Sequence, residues 1–221
     1  MKIKEIYEMF DTIGCCTFAT IDGDYPETRI AHFIAYDTDG LYFMTMTTKP
    51  FYKQLKETGK VSVCGLSASS NTNIDEHGNL LFEAGYSIRI SGDVKEVSMN
   101  TIKEKNNPIF DYCIKDNHKY PAMVTFCIFN GRGEVFDYDF EKKFRDHKLE
   151  RVRFTLGEAE PKKPNLILQK QECIGCGKCF SACSFNAIQK DENSYTIDST
   201  RCDECGDCYL KCPTGAIKIR K

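Results

Sequence analysis

The first apolar positions recur at helical spacing. Ile3, Ile6, Met9, Phe10 and Ile13 fall three or four apart, which places them on one face of a helix over 3–13. From Cys15 onward the pattern becomes one of short strand-like runs: Cys15–Ile21, Thr28–Tyr36, Leu41–Met46, Val61–Leu66, Tyr86–Val97, Met123–Phe129, Glu134–Tyr138 and Val152–Leu156. Turn signals at Asp22-Gly23-Asp24, Asp37-Thr38-Asp39-Gly40 and Asn130-Gly131 separate several of them. Pro50–Thr58 reads as a helix with proline in its first turn, and Met99–Asn106 as a second, weaker one. Many short strands with few helices predict a mainly β domain over 1–156, a barrel or a sandwich.

The segment 157–165, GEAEPKKPN, sets two prolines and a glycine among charged residues and reads as an exposed linker. The remainder, 166–221, repeats itself. Cys173, Cys176, Cys179 and Cys183 recur 29 positions later as Cys202, Cys205, Cys208 and Cys212. Ala187-Ile188 matches Ala216-Ile217, and Leu168 matches Ile197. Each half is too short to bury a core alone, so the two are expected to pack about a pseudo-twofold axis.

Composition sharpens this picture. Eight of the 13 cysteines lie in 161–221. A disulfide framework needs an oxidising compartment, and acidic Glu5, Glu8 and Asp11 interrupt any apolar export signal at the start. A soluble, cytoplasmic protein using its thiols for metal or redox chemistry is expected. A formal net charge of -2 argues against nucleic acid or an anionic membrane as the main partner, and no apolar run is long enough to span a bilayer.

Each repeat reads C-x2-C-x2-C-x3-C. Three closely spaced thiolates can wrap one iron–sulfur cube, while the fourth points away and serves the cube of the other half. Cys173, Cys176, Cys179 and Cys212 should therefore hold one 4Fe–4S cluster, and Cys202, Cys205, Cys208 and Cys183 the other. Zinc, the alternative, usually takes two CxxC pairs separated by a long loop. Gly175, Gly177 and Gly206 allow backbone N–H groups to turn toward a negatively charged cluster. On these motifs the segment 166–221 resembles a bacterial two-cluster ferredoxin, a small α+β domain. It departs from that family where Ser184 replaces the proline that usually follows the fourth cysteine, as Pro213 does after Cys212. Cys15, Cys16, Cys64, Cys113 and Cys127 read as small buried hydrophobes. His32, His77, His118 and His147 are scattered and read as solvated or structural.

Clusters with every ligand position filled carry electrons but need a second redox centre for substrate chemistry. The first domain has no glycine-rich dinucleotide or phosphate loop. It does place Thr47 and Lys49 at the start of the 50–58 helix, with Arg29 on a nearby strand, a combination suited to an anion. The PETRIAH strand at 26–32, the GLYFMT strand at 40–45 running into K…QL, and the strand after GKVSV resemble the FMN-binding split barrel of the pyridoxamine 5′-phosphate oxidase-like family. The resemblance implies that Arg29, Ile30, Ala31 and His32 run along a flavin, that Met44 and Thr45 touch its ring and ribityl chain, and that Thr47, Lys49 and Lys53 hold its phosphate. It also implies that Arg153 and Phe154 belong to a terminal strand closing the site, and that two copies form a homodimer. Oxidation of pyridoxamine phosphate itself is disfavoured, because linker and ferredoxin stand where that enzyme has basic substrate-binding residues. The expectation is an iron–sulfur flavoprotein oxidoreductase with two 4Fe–4S clusters and FMN, a low-potential electron donor or acceptor, and a small-molecule substrate. A non-enzymatic electron carrier or redox sensor is the alternative. No residue stands out as acid or base; His32 and Tyr36 are the nearest candidates.

Overall fold

The structure, a computed structural model, describes residues 1–221 except 68–72, 75, 79, 82–84, 139–149, 164, 200 and 221. His147 therefore lies outside the described residues. These divide into two compact units: Met1–Ser67 with Ser87–Glu134 and Phe154–Pro161, and Ala68–Tyr86 with Val135–Arg153 and Lys162–Lys221.

The first part of the chain is mainly β. Helix α1 (Ile3–Ile13) has the span its periodicity predicted and buries Ile6 and Phe10. Then follow β1 (Cys16–Asp22), β2 (Tyr25–Ala31), β3 (Phe33–Asp37), β4 (Gly40–Met46), α2 (Pro50–Thr58) and β5 (Lys60–Leu66). After these come β6 (Asn73–Ile74), β7 (Leu80–Leu81), β8 (Gly85–Val97), α3 (Met99–Glu104), a 3-10 turn at Pro108–Phe110, α4 (Asp111–Lys119), β9 (Met123–Tyr138) and β10 (Glu150–Leu156). The large sheet has the order β2-β1-β5-β8-β9-β4-β3, with β10 also on β9, while β6 and β7 form a separate pair.

The strand order puts β1 and β3 far apart, yet the rings of Phe18 and Phe33 meet at 5.2 Å. The sheet therefore curls onto itself, giving the split-barrel fold. Phe18, Phe33, Phe43 and Phe126 are at most 3% exposed and fill its interior, with Phe43 stacked on Phe126 at 5.9 Å and on Phe51 of α2 at 5.8 Å. Each buried ring contributes about 1.5–3 kcal/mol by removal of apolar surface from water. A second cluster, with Ala35, Tyr42, Ile102, Phe110, Cys113 and Cys127, seats α3 and α4 against β3, β4 and β9.

Two sequence expectations change. The single strand expected over Thr28–Tyr36 breaks at His32, where the chain leaves β1 and turns to pair with β4. The turn expected at Asn130-Gly131 is instead the middle of continuous β9. Its glycines serve close packing: a Cβ on Gly131 would come within 3.0 Å of the Ser91 carbonyl, and one on Gly133 would collide with the Phe154 ring.

The C-terminal residues form β11 (Leu166–Leu168), a 3-10 turn at Lys170–Glu172, α5 (Lys178–Ala182), β12 (Ile188–Asp191), β13 (Ser194–Ile197), α6 (Asp207–Lys211) and β14 (Ile217–Ile219). The expected twofold is explicit in the pairing. Leu168 opposes Ile217 in the β11–β14 pair, and their repeat equivalents Ile197 and Ile188 oppose each other in the β12–β13 pair. Leu166, Ile188, Tyr195 and Ile217 share one small core with Cys179 and Cys208, against which Cys173, Cys183 and Cys212 pack. Among the described residues, no helix is long and apolar enough to cross a membrane.

Candidate functional site

The eight repeat cysteines gather around two small cavities. One is lined by Cys173, Cys176, Cys179 and Cys212, the other by Cys202, Cys205, Cys208 and Cys183. These are the reciprocal sets that the spacing predicts, each made of three cysteines from one repeat and one from its twin. Gly177 and Gly206, with φ of +75° and +89°, start α5 and α6 in a left-handed conformation that folds each short loop around its cavity. The Ala187 N–H donates to Cys183 Sγ at 3.3 Å, and the equivalent Ala216 N–H donates to Cys212 Sγ at 3.2 Å. Burial would raise the Cys212 thiol, but hydrogen bonds from Thr214 and from backbone N–H groups outweigh it and hold the thiol below its ordinary value. Burial raises Cys179 and Cys202 and pushes Cys208 up to about 11, so their thiolates need a compensating cation. Among the described residues no three His, Cys, Asp or Glu side chains converge closely enough to hold a single metal ion. Eight cysteines standing back around two cavities fit the wider geometry of iron–sulfur cubes.

The two cavities differ on one side. Asp203 and Glu204 line the second, between Cys202 and Cys205, and both are paired: Arg151 with Asp203, and Arg153 with Glu204 at 3.0 Å. Ile174 lines the first cavity at the position equivalent to Asp203. Of the two residues expected to close a flavin site, Arg153 pairs with Glu204 and Phe154 packs over Gly133.

A third candidate site is a cleft of about 640 Å³ in the first unit. Seven of the nine residues expected at the flavin line it: Arg29, Ile30, Ala31, His32, Met44, Thr45 and Lys49. Thr47 and Lys53 are not among its lining, and Lys53 instead pairs with Glu57 at 3.6 Å on the exposed side of α2. Arg29 is fixed on three sides. It donates from Nη1 to Thr20 Oγ1 at 2.6 Å and from Nη2 to Gln54 Oε1 at 2.7 Å, and stacks over Phe51 at 4.4 Å. Thr20 and Gln54 are 4% and 2% exposed, so the guanidinium is held by an almost dry scaffold. Burial lowers its pKa, while the carboxylates of Glu27 and Asp22, which line the same cleft, act the other way. Its hydrogen-bond partners are neutral, which leaves a positive charge facing the cleft beside Lys49 at the start of α2. That arrangement suits a phosphate.

Gln54, Phe51, Tyr112, Asp116 and Met123 also line the cleft and were not singled out in the sequence. The QL of the K…QL motif contained Gln54, but a glutamine inside a helix ordinarily faces solvent. Tyr112 and Asp116 arrive on α4, whose sequence DYCIKDNHK is too polar to announce a packed helix. Of the two acid–base candidates, His32 lines the cleft, whereas the ring of Tyr36 packs at a tilt against Tyr7, centroids 4.8 Å apart. Cys16, Cys113 and Cys127 are buried as expected; Cys15 and Cys64 are exposed, which corrects the reading of all five as buried.

Residues 172–216 match the family described as the 4Fe-4S dicluster domain. No curated protein matches the chain. Among solved structures, the chain is similar to a NimC/NimA family protein from Clostridium acetobutylicum, with 19% identity, a TM-score of 0.48, and 70% of this chain and 92% of that one covered. It is also similar to a pyridoxamine 5′-phosphate oxidase-related, FMN-binding protein from Nostoc punctiforme PCC 73102 (12% identity, TM-score 0.47, 73% and 95% covered). PhzG from Burkholderia lata 383, solved in complex with tetrahydrophenazine-1-carboxylic acid, gives 14% identity, a TM-score of 0.46, and coverage of 72% and 87%. With its eight cysteines arranged in two reciprocal cradles, the segment 172–216 is a 4Fe–4S dicluster domain, carried in one chain with a mainly β domain of split-barrel fold.

Proposed function

We propose that this protein is an iron–sulfur flavoprotein oxidoreductase, in which electrons pass between two 4Fe–4S clusters and FMN and from there to or from a small molecule. FMN, when bound, supplies the exchange between one-electron and two-electron chemistry that clusters alone cannot perform. The observation that carries the reading is Arg29. Its charge is held by neutral Thr20 and Gln54 at the edge of a cleft large enough for a nucleotide-sized ligand, with Lys49 on the same cleft. In this reading Arg29 and Lys49 bind the phosphate, Ile30–His32 and Met44–Thr45 flank the ring and ribityl chain, and α4 limits what can approach from the far side.

The partners follow as proposals: a low-potential electron donor or acceptor, and a second copy of the chain. Exposed Tyr25, Ile30 and Leu66, at 75%, 66% and 56%, favour association through β2 and β5. Anaerobic purification with iron, sulfide and flavin analysis tests the whole reading. About eight iron, eight sulfide and one FMN per chain support it, and a cluster-loaded protein that binds no flavin overturns it.

A further inference from the structure

The two halves of the dicluster domain are symmetric in backbone but not in charge. Gly175 has φ +67°, and its equivalent 29 residues later, Glu204, has φ +63°. Glycine adopts that conformation freely, whereas a residue with a Cβ does so at a cost. Glu204 is one of four described non-glycine residues with positive φ, and it sits between two cluster ligands. Its side chain is held inward: Arg153 Nη2 meets Glu204 Oε1 at 3.0 Å, with 5% of the Arg153 side chain and 17% of the Glu204 side chain exposed. Beside it Arg151 pairs with Asp203 and lies over the Phe136 ring at 5.2 Å. The first repeat has Ile174, 66% exposed, and Gly175 at these two positions, so its loop carries no charge.

We infer that Arg151 and Arg153 are positioning residues for the second cluster: they clamp and neutralise the Asp203-Glu204 loop and so set that cluster's reduction potential apart from the first's. The inference rests on the two-cluster reading of the eight cysteines. The physical argument is one of charge. Reduction adds an electron to a group that is already negative, so a nearby carboxylate opposes it and a nearby cation favours it, most strongly where little water intervenes. Without their arginines, Asp203 and Glu204 would set two carboxylates directly against the second cavity. With them the loop is neutral overall, and an otherwise unfavourable backbone conformation at residue 204 is retained because its side chain completes the pair.

The test is an anaerobic redox titration, followed by electron paramagnetic resonance, of the full chain reconstituted with iron and sulfide. Iron and sulfide counts on each variant separate a failure of the inference from a failure of the two-cluster reading. Glu204→Gly installs the residue of the first repeat and removes a carboxylate from beside the second cavity; the second cluster's potential should rise and the first's stay in place. Arg153→Gln should move the second potential in the opposite direction. The double variant should return it close to the starting value, a rescue that a purely structural role would not produce. We expect each single variant to change the reduced-to-oxidised ratio of the second cluster by about tenfold at fixed potential. If Arg153→Gln loses the second cluster altogether, Glu204→Gly still decides the matter. No shift in Glu204→Gly, or equal shifts in both clusters, overturns the inference.

Discussion

Arg29 and Gln54 meet at 2.7 Å, guanidinium to amide oxygen, joining β2 to α2 at the wall of the cleft. Gln54 is 2% exposed and also accepts the Thr20 hydroxyl at 2.6 Å, so a single buried oxygen orients both. Replacing it with leucine of similar bulk leaves two donors without their acceptor. The expected loss is about 1–3 kcal/mol of unfolding free energy, the desolvation cost of unsatisfied buried donors. It should be accompanied by weaker FMN binding, because Arg29 is no longer held. Chemical denaturation and flavin titration of Gln54→Leu read the two effects separately.

Lys49 differs from Arg29 in having no such scaffold; it stands exposed just before Pro50 at the start of α2. Its contribution to binding should be through charge alone. Lys49→Ala should weaken FMN by about 1.5–3 kcal/mol, the range for a charge-assisted hydrogen bond. Riboflavin, which lacks the phosphate, should bind both proteins alike. Parallel titrations with the two ligands check this.

The exchange of cysteines between repeats makes a prediction that sequence order alone would invert. Cys212 lies in the second repeat but lines the cavity of Cys173, Cys176 and Cys179. Cys212→Ala should damage the first cluster, lowering iron from about eight to about four per chain. Adding Cys173→Ala should cost no more, because both residues serve one cluster, whereas adding Cys202→Ala should remove the remainder. Iron and acid-labile sulfide assays on the three proteins distinguish these outcomes.

Much of this was legible along the chain because it is local. The cysteine spacing carries the cradle, and the span of α1 follows from its periodicity and that of α2 from Pro50. What was hidden depends on tertiary approach. Asn130-Gly131 has the composition of a hairpin turn, yet Gly131 is there because Ser91 and Gly92 press against it. Helix α4 offers a single fully buried side chain, Cys113, and so shows almost no apolar stripe. Arg153 pairs with Glu204 across 51 positions, a contact that no local pattern encodes.

Cys113 and Cys127 give a pH dependence. Burial pushes both thiols up to about 12 from an ordinary value near 9. The folded state therefore favours the protonated form. Each tenfold gain in proton affinity on folding is worth about 1.4 kcal/mol, so the resulting stability is on the order of a few kcal/mol. It is complete below pH 9 and is lost as pH rises toward 12. Melting temperature should fall over that range, and less steeply in Cys113→Ala than in the parent, relative to each protein's own value at about pH 7. Alkylation of the native chain outside the cluster ligands should label exposed Cys15 and Cys64 while sparing Cys16, Cys113 and Cys127.

The central claim is that electrons pass within one chain between the clusters and the flavin. The direct measurement is anaerobic stopped-flow mixing of the FMN- and cluster-loaded protein with a limiting low-potential donor, followed by visible absorbance and rapid-freeze electron paramagnetic resonance. The clusters should be reduced first, and the flavin should then be reduced at a first-order rate independent of protein concentration. Flavin reduced equally fast in a Cys176→Ala/Cys205→Ala chain that lacks both clusters, or flavin that stays oxidised while the clusters remain reduced, would contradict the account.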